Sequence, residues 1–177
     1  MDFSNILSQW YAINKRDLPW RSTVNPYHIW LSEIILQQTR VEQGLPYYLK
    51  FIDNFPTVSD LANADEDFVL KLWQGLGYYT RARNLQFSAK LIISEFGGNF
   101  PDNYADILKL KGVGPYTAAA ISSFAFGLPF AVLDGNVIRV LSRVFGIETP
   151  FDTYVGKKQF QKLAQELLAK KNPAEYN

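Results

Sequence analysis

The sequence predicts an all-α protein. Apolar residues recur with helical spacing along nearly the whole chain, and no segment shows the sustained alternation of a half-buried strand. Signals that start and end helices follow one another at short intervals, so the connections are short. With 177 residues, of which 47% are hydrophobic and 15% aromatic, the chain is long enough for one well-buried core or two small lobes.

The first two helices have clear boundaries. An apolar stripe over residues 3–11 predicts a first helix, which the Leu-Pro-Trp-Arg stretch at residues 18–21 interrupts. Asn25 as a cap and Pro26 at the first helical position predict a second helix that continues to about Arg40.

The later helices follow in close succession. They are predicted at residues 45–54, 57–63, 65–75, 78–96, 103–111, 115–126, 136–146 and 156–171. Asn172 and Pro173 then begin a last turn just before the sequence stops, so we expect the chain to be a piece of a longer protein.

Composition excludes several classes of protein. No apolar run is long enough to span a membrane and no secretory leader is evident, so we expect a cytoplasmic monomer that needs no membrane. The absence of cysteine excludes a disulfide framework and any thiolate-bound metal within these residues, and the single histidine, His28, cannot form a metal site alone. A net charge of +1 is a weak argument for nucleic-acid binding.

A glycine hairpin stands out in residues 108–120, LKLKGVGPYTAAA. Gly112 and Gly114 can adopt positive φ, and the helix that starts at Pro115 has unsatisfied N–H groups at its positive end. Such a hairpin predicts a phosphate-binding site. The two glycines taken alone fit an ordinary helical corner with a glycine cap, and that alternative stays open.

Two carboxylates are candidates for chemistry. Glu33 projects from a largely apolar helix face, where burial would raise its pKa and suit it to a general acid. Taken alone, the residue also fits a helix-surface carboxylate at the edge of the core, and that alternative stays open. Asp134 lies where an apolar run enters a helix. It is either a helix cap or an ionised carboxylate that Asn136 orients.

Two helix ends carry groups suited to a disturbed duplex. Gln38 continues the Glu33 helix, and Tyr78 follows the glycines at 75 and 77. Amides and aromatic wedges replace bases that have been removed from a stack. Arg81 and Lys111 belong to paired basic residues nearby, although a solvated face or a glycine cap explains each feature singly.

The motifs together resemble a known family. In chain order they are LPWR, WLSEIILQQTRV, FPTVSDLANA, LWQGLGYYTRARNL, GGNFPD, LKGVGPYTAAAI and LDGNVIRVLSR. The series resembles the helix-hairpin-helix DNA glycosylase superfamily, and within it the MutY family of adenine glycosylases. It implies a six-helix barrel with the hairpin at residues 22–130, a second helical lobe from residues 1–21 and 131–177, and a DNA-facing cleft between them.

The resemblance implies base-excision repair at the bacterial nucleoid. The expected partner is double-stranded DNA with adenine opposite 8-oxoguanine or guanine, and the expected reaction is hydrolysis of the adenine N-glycosidic bond. Glu33 falls on the family's catalytic acid, Asp134 on its catalytic carboxylate and Asn136 on the residue that supports it. Tyr116 falls on a catalytic-site tyrosine of some members of the family. It also stands where relatives such as endonuclease III carry a lysine, so no Schiff base is available there.

The resemblance also assigns binding residues. Gln38 and Tyr78 fall on duplex wedges, whereas Trp20, Arg21 and Leu36 fall on the lining of the adenine pocket. The remaining DNA contacts are expected from Gly112, Gly114, Lys111 and Arg81. A monovalent cation, Na⁺ or K⁺, is expected on three backbone carbonyls of the hairpin, those of Leu108, Leu110 and Val113.

Two parts of the family pattern lie outside this sequence. MutY proteins continue into a four-cysteine loop that holds a 4Fe–4S cluster, and then into a domain that reads 8-oxoguanine. Three alternatives therefore stay open: a DNA-binding piece inactive through truncation, a thymine or uracil mismatch glycosylase of the same superfamily, and a plain helical interaction module.

Overall fold

A computed structural model describes residues 3–177 and confirms the all-α prediction: this part of the chain forms eleven α-helices, a 3-10 turn at Pro19–Arg21 and no strand. The helices are α1 Phe3–Asn14, α2 Pro26–Ile35, α3 Val41–Asn54, α4 Val58–Asn63, α5 Glu66–Trp73, α6 Thr80–Phe96, α7 Tyr104–Ile107, α8 Pro115–Phe126, α9 Gly135–Phe145, α10 Tyr154–Leu167 and α11 Pro173–Tyr176. Within these residues, no helix is both long and apolar enough to cross a membrane.

Capping side chains begin the helices, at α2 as predicted and at α4 through a capping box that the sequence analysis did not identify. The Asn25 side chain accepts a hydrogen bond from the Tyr27 N–H at 3.0 Å, and Pro26 occupies the first turn of α2. Thr57 and Asp60 form a reciprocal capping box at the start of α4.

Two predicted boundaries are wrong because non-glycine residues interrupt the helices. The helix predicted to reach Arg40 ends at Ile35, since Gln38 has φ +58° and cannot continue a right-handed helix. The helix expected from residue 78 begins at Thr80, since Tyr78 has φ +47°.

Other predicted helices differ in length. The one predicted at 45–54 begins earlier, at Val41, and the one at 103–111 shrinks to α7 followed by turns. The one predicted at 156–171 runs from Tyr154 to Leu167, because Leu168 adopts an extended backbone with ψ 127°.

Two hydrophobic cores of different size, and a third, smaller cluster of Ala119, Ala120 and Val132, organise the helices. The large core contains 26 buried residues drawn from the 3-10 turn, α2 to α8 and the loops between them, with Trp30, Phe51 and Trp73 fully buried. The small core has five buried residues, and these are Ala131, Leu141, Phe160, Ala164 and Leu168. Helix α1 packs against the small core through Phe3 but contributes no buried residue.

Candidate active site

Glu33 lies on α2, next to some of the most deeply buried side chains of the large core. Its neighbours Trp30 and Leu31 have no exposed surface, while Glu33 itself is partly buried. Burial raises the pKa of the Glu33 carboxyl above its usual range, because charge is disfavoured away from water. A carboxyl group that keeps its proton more readily than usual suits a general acid.

Three side chains from elsewhere in the chain act on this carboxyl. The Arg21 guanidinium and a hydrogen bond from the Tyr116 hydroxyl lower the Glu33 pKa, and the Asp134 carboxylate raises it, but burial is the largest cause. The fold therefore brings Glu33 of α2, Tyr116 at the start of α8 and Asp134 before α9 into one electrostatically coupled group.

Tyr116 provides a permanent donor in this group. Although 38% of the residue is exposed, burial around its hydroxyl is the main cause that raises its pKa, and the charges of Glu33 and Asp134 raise it further. The hydroxyl therefore stays protonated across the physiological range.

Asp134 is held by hydrogen bonds at the start of α9. One carboxylate oxygen accepts from the Val137 N–H at 2.8 Å, so Asp134 caps the helix, and the other accepts from the Asn136 amide at 3.1 Å. The two interpretations offered by the sequence are therefore compatible. Arg139 in turn donates to the Asn136 side-chain oxygen at 3.2 Å, a partner that the sequence analysis missed although it lies three residues along the predicted helix.

The hairpin between α7 and α8 exposes backbone donors. Gly112 adopts the positive φ that glycine permits, at +80°, whereas Gly114 has φ −95° and opens α8 as an N-cap. A Cβ atom at Gly114 would meet nothing within 4 Å, so the space in front of it is open. Among residues 3–177, the N–H groups of Gly112 and Gly114 find no acceptor.

The three hairpin carbonyls expected to hold a monovalent cation are not fully used in hydrogen bonds. Within the described part of the chain, the carbonyl oxygens of Leu108 and Val113 accept no hydrogen bond, and that of Leu110 accepts one, from the Val113 N–H at 3.1 Å. Each of the three therefore keeps at least one free lone pair, the kind of oxygen ligand that a hard cation takes. A Gln37 side chain, also missed from sequence, donates to the Gly112 carbonyl at 3.3 Å and connects the hairpin to the end of α2.

Lys111 and Phe87 form an exposed pair beside the hairpin. The Lys111 ammonium lies 4.3 Å from the centre of the Phe87 ring, which is on α6 and 50% exposed. The Lys111 backbone is fixed by Ser88, whose hydroxyl accepts from the Lys111 N–H at 2.7 Å.

Gln38 and Tyr78 share an unusual backbone conformation. They are the two non-glycine residues with positive φ in residues 3–177, and both side chains are exposed. Such a conformation costs of order 1–3 kcal/mol per residue and persists only where the surroundings impose it.

The Arg81 side chain stabilises this backbone conformation through hydrogen bonds. Its guanidinium donates to five backbone carbonyls, those of Ile34, Ile35, Gln37, Leu76 and Gly77. These carbonyls belong to the turn that holds Gln38 and to the turn that holds Tyr78. The guanidinium is thus directed at backbone carbonyls of the protein, and the DNA contact expected of Arg81 stays a prediction.

The three residues assigned to the adenine pocket have different neighbours in the structure. Trp20 packs edge-on against Tyr48 at 5.0 Å, and Arg21 lies 4.1 Å over the Phe124 ring. Both line a cavity of about 530 Å³. Leu36 is not among the residues that line it and lies beside Gly44 of α3.

Comparison with known proteins identifies the family. The model of the HhH-GPD superfamily base excision DNA repair proteins matches residues 31–170. The adenine DNA glycosylase of Buchnera aphidicola subsp. Baizongia pistaciae is 43% identical over 97% of this chain and 47% of its own length. The human adenine DNA glycosylase is 41% identical over 99% of this chain and 34% of its own length, so the chain spans about half or less of these relatives.

Two solved structures have the same fold as this chain. A thermostable thymine-DNA glycosylase superposes with a TM-score of 0.90 at 31% identity, covering 99% of this chain and 81% of that one. A non-covalent endonuclease III–DNA complex superposes with a TM-score of 0.81 at 20% identity, covering 98% of this chain and 78% of that one, and this likeness concerns the fold alone. The chain therefore belongs to the HhH-GPD superfamily of base excision DNA repair proteins.

Proposed function

We propose that this chain carries the catalytic part of an adenine DNA glycosylase. The observation that carries the proposal is the meeting of two differently held carboxyl groups: Glu33, whose pKa burial raises, and Asp134, which accepts two hydrogen bonds. Cleavage of a sugar–nitrogen bond is assisted by an acid that protonates the leaving base and by a carboxylate that stabilises the cationic sugar.

The acid step belongs to Glu33. Its proton passes to N7 of an extruded adenine, and the bond between C1′ and N9 breaks with its electron pair remaining on the base, which leaves neutral. Proton transfer of this kind contributes about 10²- to 10⁴-fold to a rate.

Asp134 stabilises the cationic sugar that remains. Its carboxylate faces the oxocarbenium-like carbon, with Asn136 and the Val137 N–H fixing its oxygens. Water then adds to C1′ and gives its proton to Glu33, which restores the acid. Tyr116 places its hydroxyl beside the same carbon and offers no amine, so the product is an abasic site in an intact strand.

Duplex binding begins at the hairpin. The free N–H groups of Gly112 and Gly114 face a phosphate, with the positive end of α8 and Lys111 assisting. A Na⁺ or K⁺ ion on the carbonyls of Leu108, Leu110 and Val113 would add positive charge there. The hairpin thus supplies contacts that do not depend on sequence.

Gln38 and Tyr78 enter the stack beside the extruded base, and Arg81 keeps their turns in place. Trp20, Arg21 and Leu36 are proposed to surround the adenine.

The proposed reaction site lies between two lobes. In this division a barrel of residues 22–130 provides Glu33, and a second lobe of residues 1–21 and 131–177 provides Asp134. The substrate is adenine opposite 8-oxoguanine or guanine in DNA, at the nucleoid of a bacterial cell. The 177 residues contain no cysteine, so they offer no thiolate ligand to an iron–sulfur cluster.

A thymine-removing glycosylase is the second candidate. The observation that favours it is the TM-score of 0.90 to the thymine-DNA glycosylase. The sequence identity to that protein is 31%, however, and this is lower than the 43% identity to the Buchnera adenine DNA glycosylase. The third candidate is a DNA-binding piece that is inactive because it lacks the remainder of the longer relatives.

A single-turnover assay distinguishes the candidates. The chain is mixed in excess with duplexes that carry adenine opposite 8-oxoguanine or thymine opposite guanine, with and without alkali. Strand breaks from the adenine duplex that need alkali are the expected result, and Glu33→Gln should slow their appearance by about 10²- to 10⁴-fold. Breaks from the thymine duplex alone would support the second candidate, and retarded but uncut DNA the third.

A further inference from the structure

The segment that delivers Asp134 to the site has no secondary structure of its own. Residues 128–133 connect α8 to Asp134 without forming helix or strand. Ala131 and Val132 are buried in this segment, so their backbone N–H groups need partners. Those partners fix the position of Asp134.

Two side-chain amides supply the partners in alternation. Gln165 of α10 donates to the Pro129 carbonyl at 2.8 Å and accepts from the Ala131 N–H at 3.1 Å. Asn177 donates to the Phe130 carbonyl at 2.9 Å and accepts from the Val132 N–H at 3.1 Å. Four successive residues, 129–132, are therefore bonded in turn by one amide and then the other.

This alternation matches the backbone of an extended chain, whose successive residues direct their polar groups to opposite sides. Gln165 and Asn177 thus make the hydrogen bonds that two neighbouring strands would make in a sheet. Each amide uses both its donor and its acceptor, so replacing either one leaves a buried backbone group without a partner.

Both amides are anchored to the rest of the fold. Gln165 follows Ala164, which is 4% exposed in the small core. Asn177 also donates to the Ser123 hydroxyl at 2.8 Å, on the helix that begins with Pro115 and Tyr116. The segment before Asp134 is thereby attached to α10 on one side and to α8, the helix that carries Tyr116, on the other.

We propose that Gln165 and Asn177 are positioning residues that set Asp134 relative to Tyr116 and Glu33. Their effect on catalysis rests on the glycosylase function proposed above, whereas their effect on the placement of Asp134 does not. Neither residue touches the reacting atoms.

Hydrogen exchange at the Val137 N–H tests the placement directly, because this group donates to Asp134. Gln165→Met removes both hydrogen bonds at nearly constant volume, and Gln165→Glu keeps the acceptor for Ala131 but loses the donor. Gln161→Met, an exposed site on the same helix, is the matched control. We expect exchange at Val137 to accelerate at least tenfold in Gln165→Met, less in Gln165→Glu, and not in the control.

Asn177→Leu provides a second, independent variant, and it should accelerate exchange at Val137 and Val132. Exchange of the Ile34 N–H in the large core reports whether a variant merely unfolds, and it should be unchanged. Unaltered Val137 exchange in both Gln165→Met and Asn177→Leu would overturn the proposal.

Single-turnover excision gives the catalytic readout. We expect the rate constant to fall at least tenfold in Gln165→Met with DNA affinity unchanged, and to recover partly in Gln165→Glu. An unmodified chain that fails to excise any base would refute the proposed function, while the Val137 exchange would still decide the positioning role.

Discussion

The two carboxyl groups of the site are held in opposite ways. Glu33 is carried by a helix whose other faces sit in the large core, beside the fully buried Trp30 and Leu31. Asp134 is carried at the margin of the small core, where hydrogen bonds from Asn136 and Val137 hold it. Burial raises the pKa of Glu33, whereas hydrogen bonds from a backbone N–H and a side-chain amide fix the orientation of the Asp134 carboxyl group. The proposed division of roles between the two groups rests on this contrast.

The two cores also differ in size and in how closely their side chains pack. The large core has 26 buried residues and the small core five, and a cavity of about 220 Å³ lies beside Leu141 and Val137 in the small core. Helix α1 leaves Trp10 and Ile13 exposed at 59% and 85%. The Asp134 side therefore depends more on individual polar contacts than the Glu33 side does.

The largest expected effect separates catalysis from binding. Glu33→Gln removes the transferable proton with little change of shape, so excision should fall by about 10²- to 10⁴-fold. Affinity for the adenine duplex, measured by gel retardation, should stay within about threefold. Glu42→Gln on the exposed surface of α3 is the control and should keep full activity. Appreciable excision by Glu33→Gln would remove Glu33 from the acid role.

Asp134 allows the cap and the charge to be separated. Asp134→Asn keeps a side-chain oxygen for the Val137 N–H but loses the negative charge, so excision should drop at least about 10²-fold with little change in stability. Asp134→Ala should lose both and cost about 1 kcal/mol of folding free energy. Urea denaturation and single-turnover kinetics measure the two effects, and near-normal excision by Asp134→Asn would contradict the electrostatic role.

Truncations in the two cores test their difference in packing. Leu31→Ala should fall at the upper end of the range of about 2–5 kcal/mol for buried leucines, since its surroundings cannot collapse. Leu141→Ala should fall at the lower end, because the cavity beside it already leaves room for relaxation. Ile13→Ala, an exposed control, should cost less than about 0.5 kcal/mol. Equal costs for Leu31 and Leu141 in urea denaturation would remove the distinction between the cores.

A smaller effect concerns the pH dependence of stability. The pKa of Glu33 is raised in the folded state, so its contribution is fully present below its unfolded pKa and is lost as the pH rises through its folded pKa. Glu33→Gln has no carboxyl group to ionise, so it does not lose stability in this way. The variant should therefore gain stability relative to the parent as the pH rises through that window, and the gain should disappear in acid. A difference that is constant from acid to neutral pH would show that Glu33 is not desolvated.

Local patterns in the sequence predict much of this arrangement. The all-α class, the start of α2 at Asn25 and Pro26, the hairpin at Gly112 and the pairing of Asp134 with Asn136 all follow from residues close together in the chain. Each is a capping or turn signal whose cause lies within a few positions.

Long-range contacts explain what the sequence could not predict. The end of α2 is set by Arg81, which bonds carbonyls more than forty positions away and stabilises the left-handed turn at Gln38. Gln165 and Asn177 reach back 34 to 47 positions to the segment before Asp134. Amides and guanidinium groups of this kind give no periodic signal, so only the folded chain reveals their partners.

The most direct test of the account is an NMR titration of the Glu33 carboxyl carbon, assigned by its absence in Glu33→Gln. The account predicts a midpoint above the ordinary glutamate range, and a further rise in Arg21→Gln, because the Arg21 charge lowers the Glu33 pKa. A midpoint at or below the ordinary range would mean that the large core does not keep this group protonated, and the division of roles between Glu33 and Asp134 would fail.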